Sequence, residues 1–230
     1  MITLVADADL PTVPLAPAPW QLTGQGYILL VKLPKEVLDD PRHVPAELRG
    51  TRRGGFAMVM LVDYEHSAVG PYRELLYIPG TFAFGAARHR SITRIYVSSV
   101  ESVVNGRRNW GIPKDACDFD FQYGRDGGED RLSASLNGKT FARFSFRPGR
   151  VRLPFSTSML PKFLLNLAQR HAGQQFVYAP SAKGSIAFAK VTDWAFDSAL
   201  FPDLARGKVL TAVRVPRFTM AFPVSTITPA

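Results

Sequence analysis

Short apolar runs, many of them alternating between apolar and polar residues, constrain the fold of this chain more than any other feature. An alternation with period two is typical of β-strands that bury one face. In the first two thirds of the chain the runs are Tyr27–Leu33, Phe56–Asp63, Glu74–Ile78, Ile92–Ser98, Phe119–Tyr123, Arg131–Leu136 and Phe141–Phe146. The later runs are Gln175–Ala179, Gly184–Trp194 and Val209–Ala221. The pattern predicts a mostly antiparallel β-structure.

Turn-forming residues separate several of these runs. The chain has 18 glycines and 18 prolines, which favour the many turns of a β-rich architecture. Asn137-Gly138 lies between the run that ends at Leu136 and the run Phe141–Phe146. Because Asn-Gly is a strong signal for a two-residue hairpin turn, we predict a β-hairpin at this position.

Helices are predicted at Lys35–Asp39, at about Val100–Arg107 and at Pro161–His171, the last with Gly173 beyond its end. The fold class is therefore α+β and predominantly β. We find no internal repeat or domain boundary, so residues 20–230 are expected to form a single domain. Residues 1–19 are expected to form an extended arm, rich in proline and alanine, that packs on the domain or on a neighbouring subunit.

The charge of the chain argues against a nucleic-acid partner. The formal net charge is +9, but the basic residues are scattered in pairs such as Arg52-Arg53 and Arg107-Arg108. No basic run is long enough to be typical of a nucleic-acid-binding tail. We interpret the charge as a solvated basic surface whose field would attract small carboxylates.

The remaining bulk features indicate a soluble cytoplasmic protein without a membrane partner. Cys117 is the single cysteine, so no intrachain disulfide is possible, and we expect a buried structural thiol. The first residues lack the basic segment of a secretory signal, and no apolar run approaches the length of a membrane span.

Common cofactor and metal motifs do not fit the sequence. Gly24-Gln25-Gly26 lacks the third glycine of a dinucleotide-binding loop and leads into a predicted strand. Asp63, Glu65 and His66 form the densest group of potential metal ligands, but their spacing matches no standard site. We interpret them as a polar turn.

Lys114 is the strongest candidate for a reactive side chain. It directly follows the apolar segment Trp110–Pro113, in which the proline fixes the backbone entering the lysine. An ordinary lysine has a pKa of about 10.4, and burial lowers such a pKa by up to about 3–5 units. Only the neutral amine attacks a carbonyl. A surface lysine after a proline turn is the alternative interpretation, and Glu74, a lone carboxylate at the start of a predicted strand, favours the reactive one.

The same segment resembles a known family. Tyr96-Val97, Gly106-Arg107 and Pro113-Lys114 are similar, at the same spacing, to the region around the Schiff-base lysine of acetoacetate decarboxylase. The likeness extends over about residues 20–223 and includes Phe56–Asp63, residues 70–74, Gly184–Trp194, residues 201–204 and Phe218–Pro223.

The resemblance implies a barrel-like antiparallel sheet around an apolar pocket, a homo-oligomer, and a reaction that needs no metal or organic cofactor. It implies that Lys114 is the Schiff-base nucleophile and that Glu74 is an acid/base or orienting carboxylate beside it. Trp110 and Tyr96 are candidate walls of the substrate pocket.

Three departures from the family pattern bear on the reaction. The family has a second lysine directly after the reactive one, and this chain has Asp115. An arginine of the first strand corresponds to Gln25 or a neighbour, and a second glutamate corresponds to Ala57. Acetoacetate decarboxylase is itself the standard example of a lysine activated by desolvation or a neighbouring cation. Here burial must supply the activation.

The orientation of Asp115 is open at this point. It faces solvent, pairs with Arg107 or Arg108, or points inward as a substrate-binding or acid/base group. The resemblance implies a lyase in which an imine on Lys114 drives decarboxylation of a β-keto acid, or aldol chemistry, dehydration or hydrolysis of another small carbonyl compound. The alternative is a non-catalytic barrel that binds a small apolar or acidic ligand.

Overall fold

Strands make up most of the computed structural model, which describes residues 6–125, 127–161 and 165–230. The strands are β1 (Trp20–Lys32), β2 (Arg52–Gly54), β3 (Ala57–His66), β4 (Tyr72–Ile78), β5 (Thr81–Phe84), β6 (Ala87–Arg90), β7 (Arg94–Val97), β8 (Lys114–Ala116), β9 (Asp118–Gln122), β10 (Asp130–Leu136), β11 (Lys139–Pro148), β12 (Leu153–Ser156), β13 (Leu167–His171), β14 (Gln174–Tyr178), β15 (Ser181–Phe196), β16 (Lys208–Phe222) and β17 (Thr226–Pro229). The α-helices in these ranges are α1 (Lys35–Leu38) and α2 (Val100–Trp110). The predicted class, α+β and predominantly β, is confirmed.

The larger sheet has eleven strands, and all its pairings are antiparallel except that of β7 with β8. Its order is β8-β7-β4-β3-β1-β16-β15-β11-β10-β9, and β12 pairs with β15 beside this path. The long strand β1 lies in the middle, between β3 and β16. The sheet is curled, as the barrel-like prediction requires.

A smaller sheet of six strands has the order β17-β14-β13-β6-β5-β2. The pairing of β13 with β6 is parallel, with Leu167 opposite Arg90. Since β5 and β6 directly follow β4 in the chain, this sheet continues from the end of β4 in the larger sheet.

Two large hydrophobic cores form on the two faces of β1. Tyr27, Leu29 and Val31 belong to the first core, in which the ring of Tyr27 stacks on Phe146 at 3.9 Å between centroids. Trp20 and Leu22, at the start of the same strand, belong to the second core. The alternation of side chains along the strand explains how one strand serves both cores.

The predicted hairpin at Asn137-Gly138 is confirmed. These two residues connect β10 to β11 with φ angles of 51° and 75°, the left-handed values of a type I′ turn. The second predicted helix is also present. It begins after Ser99, whose Oγ accepts from the backbone N–H of Ser102, and it runs to Trp110 before Gly111 ends it at φ 63°.

The predicted helix Pro161–His171 is wrong over Leu167–His171, which form β13, and residues 162–164 of that prediction lie outside the described residues. Gly173 is not a helix cap. Ala172 and Gly173, with φ angles of 49° and 73°, form the two-residue turn of a hairpin in which His171 lies opposite Gln174. Tertiary pairing with β14 and β6 overrides the local helical pattern.

The proline-rich segment at residues 7–19 contacts α2 of the same chain. The backbone N–H of Ala16 donates to Asn105 Oδ1 at 2.9 Å, and Asn105 Nδ2 donates to the carbonyl of Pro14 at 3.1 Å. Asp7 forms an ion pair with Arg107 at 2.8 Å. These contacts hold the segment against the helix that precedes Lys114.

No helix within the described ranges has both the length and the apolar character needed to cross a bilayer.

Candidate active site

Lys114 is the first residue of β8, a strand at one edge of the larger sheet. Gly111 turns the chain out of α2, and the Ile112-Pro113 segment then brings it alongside β7, where Lys114 pairs with Ile95. The lysine is 3% exposed. The apolar, stiff segment before Lys114 therefore places the amine inside the protein.

Among the described residues, the Lys114 amine has two hydrogen-bond partners. Nζ donates to Glu74 Oε2 at 3.0 Å and to Ser102 Oγ at 3.0 Å. It also lies 5.1 Å from the centroid of the Tyr72 ring. The structure thus brings together the two residues that the sequence analysis proposed as catalytic, although they are 40 positions apart.

Strand pairing explains this meeting. In the order β8-β7-β4, Glu74 lies opposite Val97 and Lys114 lies opposite Ile95. The two residues are two strands apart, and their partners on β7 are two positions apart and so share one face. Their long side chains therefore meet across the intervening strand.

The Glu74 carboxylate is buried and has a second partner, since Tyr64 donates its hydroxyl to Oε1 at 3.2 Å. Burial, followed by the nearby Glu74 charge, raises the pKa of both Tyr64 and Tyr72 well above the ordinary value. Both hydroxyls therefore keep their protons at neutral pH, and that of Tyr64 donates to Glu74.

Gly106 creates the space that the Lys114 side chain occupies. A Cβ atom built at Gly106 would lie 2.8 Å from Lys114 Cδ and 2.9 Å from Cε. Ser102 and Gly106 are four residues apart and hence share one face of α2. That face provides both a hydrogen-bond acceptor and a groove for the lysine.

Lys114 and Glu74 lie on the wall of a cavity of about 410 Å³. Much of the second hydrophobic core lines this cavity, including Trp20, Met58, Met60, Leu76, Trp110 and Phe218. Among the described residues, the formally charged side chains on its wall are Glu74, Lys114 and Arg90. The site is a largely apolar chamber with an amine and a carboxylate in contact.

Trp110 is on the cavity wall, as the sequence analysis proposed for a substrate-binding residue. Its indole N–H donates to the Pro223 carbonyl at 2.7 Å, and its ring meets Trp20 and Phe222 edge-on at about 5 Å. These contacts fix the orientation of the ring.

Tyr96 is placed elsewhere. Its hydroxyl donates to the Leu200 carbonyl at 2.9 Å and accepts from Arg94 at 2.6 Å, and its ring packs on Phe141 in the first core. It is not part of the cavity wall that the described residues form.

Asp115 turns away from the cavity and pairs with arginines. Its carboxylate lies 3.2 Å from Arg107 Nη2 and 3.7 Å from Arg94 Nη1. Arg107 also donates to the Lys114 carbonyl at 2.7 Å, so the pair fixes the backbone of β8. Of the orientations left open by the sequence, pairing with Arg107 is the one observed.

The other two departures from the family pattern lie away from the amine. Gln25 accepts a hydrogen bond from Arg214, which also pairs with Asp130 at 3.3 Å. Ala57 is fully buried in the first core. Among the described residues, the second cation on the cavity wall is Arg90.

The sequence did not predict four residues of the site: Ser102, Tyr64, Tyr72 and Arg90. Ser102 carried a usable signal, because it lies four residues before Gly106 on a predicted helix. Tyr64 and Tyr72 flank a predicted turn and face each other only through the β3–β4 register. Arg90 lies on a four-residue strand that no periodicity reveals.

The described residues contain no group of three or more His, Cys, Asp or Glu side chains arranged to hold a metal ion. Asp63, from the predicted polar turn, instead pairs with Arg73 at 3.3 Å and accepts from the Tyr123 hydroxyl at 3.1 Å.

Comparisons with known proteins agree with this architecture. A family model described as acetoacetate decarboxylase matches residues 40–227. No curated protein matches the chain. Among solved structures, an acetoacetate decarboxylase-like enzyme from Sphingomonas wittichii RW1 is 14% identical with a TM-score of 0.69, and the match covers 100% of this chain and 97% of that one.

Two other solved structures are similar in fold. The enduracididine biosynthesis enzyme MppR, complexed with pyruvate, is 15% identical with a TM-score of 0.64, over 94% of this chain and 92% of that one. Acetoacetate decarboxylase from Legionella pneumophila is 10% identical with a TM-score of 0.64, over 96% of this chain and 92% of that one.

Proposed function

Because the chain belongs to the acetoacetate decarboxylase family, we propose that it is an enzyme in which Lys114 forms a Schiff base with a small carbonyl substrate. One observation carries the proposal. The buried Lys114 amine lies 3.0 Å from the Glu74 carboxylate on the wall of an apolar cavity. An amine and a proton-exchanging carboxylate in contact are the groups that imine formation needs.

Glu74 provides the route by which Lys114 becomes a nucleophile. Two opposite charges in a dry site lose much of their hydration, and this cost offsets their attraction. Passing one proton from the ammonium to the carboxylate along the 3.0 Å hydrogen bond leaves a neutral pair and changes no net charge. The cation that the family places after the reactive lysine is then unnecessary.

Lys114 and Glu74 supply the two protons that leave with water when the imine forms. The lone pair of Nζ forms a bond to the carbonyl carbon, and the carbonyl oxygen takes up protons from the amine and from protonated Glu74. Water leaves, and the products are a protonated imine on Lys114 and the Glu74 carboxylate. Tyr64, a protonated donor 3.2 Å from Oε1, stabilises that carboxylate.

The protonated imine then acts as an electron sink. The Glu74 carboxylate takes a proton from the carbon next to the imine, and the C–H electron pair moves into the imine to give an enamine. In a β-keto acid the bond to the carboxylate carbon breaks instead. Its electron pair moves into the imine, and carbon dioxide leaves. Both routes reach the enamine, which is reprotonated or attacks a second carbonyl.

The complex of MppR with pyruvate supports a small carbonyl substrate, since MppR shares this fold. It does not select among the routes from the enamine. Asp115 pairs with arginines and leaves the Lys114 end of the cavity without a second cation among the described residues, so this end lacks a group to bind a carboxylate beside the carbonyl.

The test is proton exchange in heavy water followed by NMR. With acetone as substrate, the enzyme is expected to exchange the methyl protons, and Lys114→Arg is expected to abolish the exchange. Release of carbon dioxide from acetoacetate, measured in parallel, reports the decarboxylation route. If the protein binds ketones but catalyses neither proton exchange nor decarboxylation, the alternative of a non-catalytic binding barrel is supported and the proposed enzyme is excluded.

A further inference from the structure

Arg90 lies on the wall of the same cavity and is positively charged. The proposed reaction at Lys114 assigns no role to this cation. Its Nη1 atom is buried and has no hydrogen-bond partner among the described residues. No ion pair involves Arg90 in that part of the chain either. A buried charged donor without a partner costs free energy, so a ligand that supplies the missing acceptor would be stabilised at this atom.

The strand register places Arg90 and the Lys114–Glu74 pair toward opposite ends of the cavity. Along β4, Glu74, Leu76 and Ile78 all face the cavity. At a rise of about 3.3 Å per residue, Glu74 and Ile78 are about 13 Å apart along the strand. Arg90 pairs with Thr81, just beyond Ile78 in the chain.

The segment that follows Arg90 also places the arginine and Lys114 toward opposite ends of the cavity. Ile92 and Ile95 are on the cavity wall, and Ile95 pairs with Lys114. The chain thus runs along the cavity from the arginine to the reactive lysine. Apolar side chains line the cavity between the two ends, among them Met58, Met60 and Ile78.

Among the described residues of the wall, the positive charge at the Arg90 end has no negative charge to balance it. Lys114 and Glu74 balance each other whether or not the proton has moved, and the protonated imine with the Glu74 carboxylate is balanced as well. Arg90 stays positive throughout, because a guanidinium does not lose its proton in proteins. A ligand with a single negative charge completes the balance, and a carboxylate fits a guanidinium with two parallel hydrogen bonds.

We infer that Arg90 binds a carboxylate at the far end of the substrate, and that the substrate is an oxo acid with an apolar segment between its carbonyl and its carboxylate. This deepens the proposed function and rests on it for the carbonyl. The carboxylate site itself is independent of the chemistry at Lys114. A short β-keto acid, with its two groups adjacent, would leave Arg90 without a partner.

The first experiment needs no carbonyl. Octanoate and methyl octanoate have the same apolar chain and differ in charge, and their binding is measured by calorimetry. The wild-type protein is expected to bind octanoate about tenfold or more tightly than the ester, as a buried charged hydrogen bond gives. Arg90→Met is expected to remove the preference.

Arg88→Met is the matched control, since it removes the same charge from an exposed position on the same strand. It is expected to keep the wild-type preference. Equal binding of acid and ester by the wild type would overturn the inference. A preference that survives in Arg90→Met would overturn it as well.

The second experiment separates this inference from the proposed function. Borohydride reduction is carried out with 2-octanone and with 7-oxooctanoate, and adducts on Lys114 are quantified. In the wild type, 7-oxooctanoate is expected to label Lys114 at a lower concentration than 2-octanone does. In Arg90→Met, the two compounds are expected to label Lys114 at the same concentration. Labelling without any such preference overturns the role of Arg90. If the wild type prefers octanoate to its methyl ester but no adduct forms on Lys114, the Schiff base is excluded while the carboxylate site at Arg90 is supported.

Discussion

At the scale of single residues, the site depends on how buried charges are paired. Lys114 and Glu74 are each about 4–5% exposed in their side chains and satisfy each other at 3.0 Å. Removing one member of such a pair leaves a charge in an apolar place, which costs more than the pair itself contributes. Mutations at these positions therefore affect stability and activity together, and the two effects need separate measurements.

Glu74→Gln removes the carboxylate and keeps the size of the side chain. The free energy of unfolding is expected to fall by about 3–5 kcal/mol, because the buried Lys114 amine then either keeps its charge without a counter-ion or gives up its proton to water. Proton exchange on acetone is expected to slow by about 100-fold or more, since an acid/base group is lost. Urea unfolding and NMR measure the two effects.

The double variant with Lys114→Met is the control for this change. It removes both charges, so its stability is expected to return toward the wild-type value while exchange stays absent. A Glu74→Gln protein as stable as the wild type would contradict the buried pair.

His43 gives a pH-dependent prediction outside the site. Its Nε2 lies 3.0 Å from the Ser198 carbonyl, and burial lowers its pKa from 6.5 to about 4. As pH falls from 6.5 toward 4, the unfolded chain binds a proton that the native imidazole does not. Stability is thus present above pH 6.5 and is lost toward pH 4, by about 3 kcal/mol at about 1.36 kcal/mol per pKa unit.

Urea unfolding at pH 7 and pH 4.5 checks the role of His43. The His43→Gln variant is expected to lose less stability between these pH values than the wild type. His66→Gln, at an exposed histidine, is the control and should behave like the wild type. An equal loss in all three proteins would show that His43 is not responsible.

At the scale of elements, the sequence predicted structure where local chemistry decides it. Asn137-Gly138 permits two positive φ angles and so marked its hairpin. Ala172-Gly173 forms the same kind of turn, but alanine gives no such signal and the residues before it have a helical pattern. The three-residue strand that begins at Lys114 is too short for any periodicity, so the apolar segment before it and the family resemblance, and not a strand pattern, pointed to this lysine.

Helix α2 gives an element-scale prediction at Gly106. In the helix alone, Gly106→Ala would be stabilising by about 1 kcal/mol. In the protein the new Cβ would lie 2.8 Å from Lys114 Cδ, so the lysine must move away from Glu74. We expect stability to change little and the rate of borohydride trapping at Lys114 to fall several-fold.

Arg108→Ala is the matched variant, because it changes an exposed position of the same helix. Its trapping rate is expected to equal that of the wild type. If Gly106→Ala also trapped at the wild-type rate, the groove over α2 would have no part in positioning the amine.

At the scale of the whole molecule, the curled sheet has one filled hydrophobic core and a second core that surrounds the cavity. The first core is filled with stacked aromatic rings such as those of Tyr27 and Phe146. The second core surrounds the cavity and carries Lys114 and Glu74 on its wall. The position of Arg90 was beyond prediction, because it depends on how the small sheet joins the large one.

The central claim is that Lys114 forms a Schiff base, and borohydride trapping followed by peptide mass mapping tests it most directly. With acetone or pyruvate present, reduction is expected to leave one adduct on Lys114 and none in Lys114→Arg. Lys139→Met removes a lysine that is 77% exposed and should not change the result. Absence of an adduct on Lys114, or adducts spread equally over surface lysines, would contradict the account.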